Sequence, residues 1–128
     1  MNIKLAKKER IHFIGIGGIG MSGLAIIMAS LGFKIQGSDI SNNRNIDRLK
    51  SKKIKIFIGH KKSNIENSTI IVMTSAIKKN NPELIFAKKK GLPVYKRGEM
   101  LGHIVSLMKN IVVAGSHGKT TTTSLISS

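Results

Sequence analysis

Apolar and polar positions fall into blocks that repeat one order: a short apolar run, a glycine turn, a longer amphipathic stretch, then another apolar run. Residues 10–16 are apolar and rich in β-branched types, and they end in Gly15-Ile16-Gly17-Gly18, which predicts a strand running into a turn. Residues 19–31 carry apolar positions at helical spacing and stop at Gly32, a helix-ending glycine. Residues 33–37 predict a second strand. Residues 42–53 predict an exposed helix with Ile46 and Leu49 on one face, and residues 54–58 a third strand. Residues 68–74 hold Ile-Ile-Val-Met, the continuous apolar run of a strand buried on both faces. Residues 82–90 open with proline, which the first helical position tolerates, and close at Gly91. Residues 92–95 predict a fifth strand, 98–108 a helix, and 110–114 (Asn-Ile-Val-Val-Ala) a sixth strand before Gly115. Residues 120–128 begin a further helix.

Strands alternating with helices predict an α/β fold, a parallel sheet covered on both faces. No repeat or low-complexity segment interrupts the order. The last helix is about nine residues long, too short to be stable by itself, so the chain reads as ending inside a domain. The segment beyond Gly115 is expected to be poorly held.

Composition narrows the class. Hydrophobic residues are 41% and charged residues 22%, ordinary for a globular domain and against disorder. The 128 residues contain no cysteine, which excludes a disulfide scaffold, a thiolate metal site and cysteine catalysis, and fits a reducing compartment. The longest apolar runs fall short of the roughly 18 residues that span a bilayer. The basic first ten residues lead into glycines rather than into an apolar run with a cleavage site, so neither a signal peptide nor a membrane partner is expected.

Charge adds less than it first suggests. Lysine and arginine number 22 against 6 acids, a net +16. The lysines lie in scattered short runs at expected helix ends and loops, and the five aromatics sit in strand-like or core-like contexts. Nucleic-acid binding by base stacking needs exposed rings among the cations, so nucleic acid is not the expected partner. A positive field would still speed the arrival of a polyanionic small molecule.

Two loops carry the chemistry. The first, Gly15-Ile16-Gly17-Gly18-Ile19-Gly20, is a G-x-G-x-x-G between a predicted strand and a predicted helix, the context in which that spacing means a phosphate cradle. Gly15 permits the turn, Gly17 offers bare main chain to a phosphate, and Gly20 lets helix and strand approach. The helix start then presents N–H groups and a positive dipole end to an anion. Asp39, 19 residues after Gly20, ends the second strand, where an acid can take a ribose hydroxyl. Nicotinamide, flavin and uridine diphosphate ligands all fit such a cradle, and a nicotinamide-binding redox module is one reading.

The second loop is Gly115-Ser116-His117-Gly118-Lys119-Thr120-Thr121. Glycine-lysine-threonine after a strand and before a helix follows the logic of a triphosphate loop: amides cradle phosphates, Lys119 adds a point charge, and Thr120 offers a hydroxyl to Mg²⁺. Val113 stands where the longer G-x-x-x-x-G-K-[ST] has glycine, so only the shorter form is present. A dehydrogenase has no use for the second loop, and an isolated ATPase none for the first. A protein that joins a nucleotide-linked substrate to something else at the expense of ATP uses both.

The run from Ile14 through Gly23-Leu24-Ala25, then Gly37-Ser38-Asp39, Thr74-Ser75-Ala76-Ile77, Asn81-Pro82-Glu83, Gly91-Leu92-Pro93-Val94, Arg97-Gly98-Glu99-Met100-Leu101 and Ala114 to Thr123 resembles, in that order, the N-terminal part of the Mur ligases. The resemblance covers residues 10–128. It implies a Rossmann-like domain over residues 1–108 and, over 109–128, the incomplete start of an ATP-binding domain: first strand, phosphate loop and helix start. It implies a cytoplasmic enzyme of peptidoglycan synthesis that phosphorylates the carboxylate of UDP-N-acetylmuramate with ATP and Mg²⁺ and lets L-alanine attack the acyl phosphate. By position, Gly15, Gly17, Gly18 and Gly20 would face the UDP diphosphate, Ser38 and Asp39 would lie by the uridine, and Ser75 would line the same cleft. Gly115, Ser116, His117, Gly118, Lys119, Thr120 and Thr121 would bind ATP, with Lys119 and Thr120 catalytic and Thr120 near Mg²⁺. Ser116 stands where the family more often has threonine. One strand and a short helix do not build an ATPase sheet, so these residues alone are expected to bind the UDP-sugar and not to ligate it; a sensor of cell-wall precursors is a further reading.

Of the remaining residues, His60 follows Gly59 at the carboxyl edge of the third strand, where ligands of such sheets bind or where a loop histidine is simply solvated. His12 and His103 read as structural, and the four histidines show no metal-ligand spacing. The six methionines read as packing.

Overall fold

A computed structural model describes residues 5–116, with side chains described as far as Lys109. Five strands are laid down in the order β1 (Arg10–Ile14), β2 (Lys34–Asp39), β3 (Lys55–Ile58), β4 (Ile70–Met73) and β5 (Val94–Lys96). They form one sheet in the spatial order β3-β2-β1-β4-β5, and every pairing is parallel. Helices α1 (Ile19–Ser30), α2 (Arg44–Ser51), α3 (Pro82–Lys90) and α4 (Arg97–Ser116) cross between or follow the strands, with a 3₁₀ turn at Lys62–Ile65.

Burial follows strand position. In central β1, Ile11, His12, Phe13 and Ile14 are all buried, because the sheet is covered on both faces. Ile11 and Phe13 face α1, α2 and α4 in a core with Leu24, Met28, Ile46, Leu49, Met100 and Ile104. Ile14 faces the other side, with Ile65, Ile71, Leu84 and Ala87.

Local signals set the helix ends. The Asn43 side chain accepts the N–H of Ile46 and caps α2. Asn81 accepts the N–H of Glu83 at 2.9 Å, Pro82 follows it, and Gly91 ends α3 in the left-handed region at φ +74°. Lys88, Lys89 and Lys90 fill the last turn of α3, where the helix dipole favours cations.

One expected element is replaced. Residues 110–114 read as a sixth strand, but they continue α4, which runs to Ser116. A strand needs a hydrogen-bonded neighbour, and this segment pairs with neither open edge of the sheet, β3 or β5. A helix satisfies its backbone internally, and extending one already begun at Arg97 avoids a new nucleus. Gly115 and Ser116, expected in a phosphate loop, are therefore backbone residues of that helix.

Candidate functional site

In parallel sheets of this kind, ligands bind beyond the carboxyl ends of the strands, where the winding direction reverses. Here the reversal lies between β1 and β4. A cleft of about 310 Å³ opens there, lined by Gly15, Gly18, Ile19, Gly20, Met21, Asp39, Thr74, Ala76, Ile77 and Arg97.

The glycine loop builds one wall. The chain turns at Gly15 (φ +82°), and the N–H groups of Gly15 and Ile16 donate to the Ser38 carbonyl at 2.8 and 3.0 Å, which ties the loop to β2. Gly18 N–H donates to Gly15 O, and the α1 ladder begins with Ser22 N–H on Gly18 O at 2.8 Å. The N–H groups of Ile19, Gly20 and Met21 thus meet no acceptor among the described residues. They are the orphan donors of a helix start, and Gly18, Ile19 and Gly20 are exposed.

Open main chain is expected at Gly17; the structure places the free amides at Ile19, Gly20 and Met21. Gly17 is buried and its N–H is already donated to Asp39 Oδ2 at 2.7 Å. Its carbonyl accepts from Asn45 Nδ2 at 2.9 Å. A Cβ on Gly17 would meet Asp39 Oδ2 at 2.7 Å, Ile46 Cδ1 at 3.0 Å and Asn43 Nδ2 at 3.1 Å. Glycine is needed there for the packing of α2 and Asp39 against the loop, and the open amides follow it in sequence.

Gly20 makes room for a cation. A Cβ there would lie 3.0 Å from Arg97 Cδ and Nε and 3.2 Å from Cζ, so the guanidinium stem crosses the first turn of α1. Arg97 has no carboxylate within salt-bridge distance among the described residues. Three orphan amides, a helix dipole and an arginine therefore converge on one cleft, an arrangement suited to a diphosphate. Asp39 faces the same cleft with its carboxylate held by the N–H groups of Gly17 and Ile40.

Neither Ser38 nor Ser75 is among the residues that line this cleft. Ser38 is fully buried; its hydroxyl donates to Glu83 Oε1 at 2.6 Å and contacts His60 Nδ1 at 2.9 Å, so it lies beside the cleft beneath His60. Ser75 is exposed in the turn after β4, between the lining residues Thr74 and Ala76, and does not itself line the cleft. His117, Gly118, Lys119, Thr120 and Thr121 lie outside the described residues.

Behind the cleft, Glu83 at the start of α3 is fully buried and ringed by donors. Its Oε1 takes His12 Nε2 at 2.7 Å and Ser38 Oγ; its Oε2 takes Asn64 Nδ2 at 2.7 Å and the Lys61 N–H at 3.2 Å. Burial pushes the Glu83 carboxyl up, but the hydrogen bonds that it accepts from His12, Ser38 and Asn64 outweigh it and hold the group below its ordinary range. Arg97 and Glu83 are the two residues that motif reasoning did not single out. The signal available for Glu83 was its place in Asn81-Pro82-Glu83 as one of only six acids; for Arg97 it was the position two residues past the strand expected over 92–95. Among the described residues, no three His, Asp or Glu group to hold a metal ion, and no helix is long and apolar enough to cross a membrane.

Comparison with known proteins agrees with this geometry. Residues 10–109 match the model of the Mur ligase family, catalytic domain. The UDP-N-acetylmuramate–L-alanine ligase of Pelagibacter ubique (strain HTCC1062) is 70% identical over all of this chain, which covers 28% of that protein. The enzyme of the same name from Brucella ovis is 53% identical over 91% of this chain and 25% of its own length. The crystal structure of UDP-N-acetylmuramate–alanine ligase from Thermotoga maritima superposes with a TM-score of 0.70 at 33% identity, over 79% of this chain and 23% of that one. The chain thus spans about a quarter of the length of the curated relatives it matches. With the family model covering residues 10–109, the chain belongs to the Mur ligase family.

Proposed function

We propose that residues 1–108 form the UDP-N-acetylmuramate-binding domain of a cytoplasmic ATP-dependent ligase that joins L-alanine to the muramate carboxylate in peptidoglycan synthesis. The observation that carries this reading is the cleft at the sheet's reversal, where the N–H groups of Ile19, Gly20 and Met21 and the Arg97 side chain meet. The diphosphate rests against these donors, with Gly15, Gly17, Gly18 and Gly20 shaping the loop beneath it and the Gly17 amide held back by Asp39. Asp39 offers its carboxylate to a ribose hydroxyl, and the turn at Ser75 borders the sugar side. Relatives whose names include this substrate, at 70% and 53% identity, support the choice of UDP-sugar over a nicotinamide dinucleotide.

Residues 109–128 begin the ATP-binding domain in this reading. When bound, ATP and Mg²⁺ supply the phosphoryl group that activates the carboxylate. His117, Gly118, Lys119, Thr120 and Thr121 are assigned to them by their resemblance to a triphosphate loop, and all five lie outside the described residues. Titration calorimetry of the 128-residue chain tests the reading: UDP-N-acetylmuramate should bind and NADH should not. Binding of NADH with the UDP-sugar ignored would reject it.

A further inference from the structure

The buried cluster behind the cleft has a defined order of protons. Gln36 Nε2 donates to the Asn64 carbonyl at 2.8 Å, which identifies that atom as the amide nitrogen. The same nitrogen lies 2.8 Å from His12 Nδ1, so Nδ1 accepts and the His12 proton sits on Nε2, directed at Glu83 Oε1. Glu83 as a carboxylate can only accept. The one Ser38 hydroxyl proton therefore goes to Glu83 at 2.6 Å. Ser38 Oγ has only acceptor capacity left for His60 Nδ1 at 2.9 Å, so the His60 proton is on Nδ1. In the neutral ring the other nitrogen, Nε2, is then an acceptor, and it meets no partner among the described residues. The His60 side chain is 13% exposed.

We infer that Glu83 is a positioning residue that acts through Ser38 to fix the His60 tautomer, so that His60 Nε2 accepts the imide N–H of a uracil and refuses a cytosine, which has an acceptor at that place.

The placement suits a base. Gly59 N–H donates to the Asp39 carbonyl at 2.7 Å, so His60 stands next to the residue that ends β2. With a diphosphate on α1 and a ribose by Asp39, the base is carried toward the ends of β2 and β3. Ile40 and Ile58, 74% and 49% exposed, follow and end those two strands and offer apolar surface to its face. This inference rests on the UDP-sugar reading above and names how that site chooses its base.

Two measurements on the 128-residue chain test it. Long-range ¹H–¹⁵N NMR of histidine-labelled protein should find the His60 proton on Nδ1; a proton on Nε2 overturns the inference without need of a variant. Calorimetry with UDP and CDP should favour UDP by about tenfold or more, the scale of a mispaired polar group. Ser38→Ala should bring the UDP-to-CDP ratio to within about threefold, while binding of inorganic pyrophosphate stays as in the wild type. A purely structural role for Ser38 and Glu83 would weaken all three ligands together, and that result also overturns the inference. Equal binding of UDP and CDP by the wild type defeats it and leaves the UDP-sugar reading standing. Failure to bind UDP or its sugar at all removes both. If Ser38→Ala does not fold, the wild-type tautomer and the wild-type ratio decide.

Discussion

Asp39 Oδ2 accepts the N–H of Gly17 at 2.7 Å, joining the end of β2 to the glycine loop 22 residues earlier. The bond closes the loop over α2 and takes the one amide that the motif would offer first to a phosphate. A Cβ at position 17 has no room beside that carboxylate or Ile46. Gly17→Ala should therefore cost about 1–3 kcal/mol through overpacking. In a domain of this size that lowers Tm by several degrees per kcal/mol. Thermal unfolding by circular dichroism checks it; an unchanged Tm would mean that α2 yields freely.

Arg97 is expected to act on ligand binding and little on the fold. It is half-buried, unpaired with acids among the described residues, and lies across Gly20. A charge-assisted bond to a diphosphate contributes roughly 1.5–3 kcal/mol, so Arg97→Ala should weaken UDP binding about 10- to 100-fold and leave Tm nearly as it was. Its remaining binding should also depend less on salt. Calorimetry at two salt concentrations checks both.

The fold was legible because its signals are local and mutually consistent. Ile-Ile-Val-Met marks β4, Pro82 and Gly91 bound α3, and glycines end α1 and β1, so alternating elements and a parallel sheet followed. Residues 110–114 misled because Ile-Val-Val favours a strand only where a neighbouring strand exists, and none is paired with it here. The glycine loop was legible as a place and not atom by atom: spacing cannot tell that Asp39 would claim the Gly17 amide. Glu83 was hidden for the same reason, since its partners His12, Ser38 and Asn64 are 71, 45 and 19 residues away. Tertiary contact alone brings them together.

Glu83 should make stability acid-sensitive. Its carboxyl titrates below the ordinary value of 4.5, so the stability it contributes is complete above that value and is lost as pH falls through the lower, folded value. Removing the carboxylate by Glu83→Ala strands buried donors of His12, Ser38, Asn64 and Lys61, at a cost of roughly 3–5 kcal/mol at neutral pH. The gap between wild type and variant should shrink on acidification. Urea midpoints at about pH 7 and about pH 3 check the sign; a gap that widens in acid would contradict it.

The most direct measurement is the amide NMR spectrum of the 128-residue chain during titration with UDP-N-acetylmuramate and, separately, NADH. If the free amides of Ile19, Gly20 and Met21 hold the diphosphate, the UDP-sugar moves their signals most, with Gly17 shifted less, and NADH leaves them in place. Shifts at those amides with NADH and none with the UDP-sugar would contradict it.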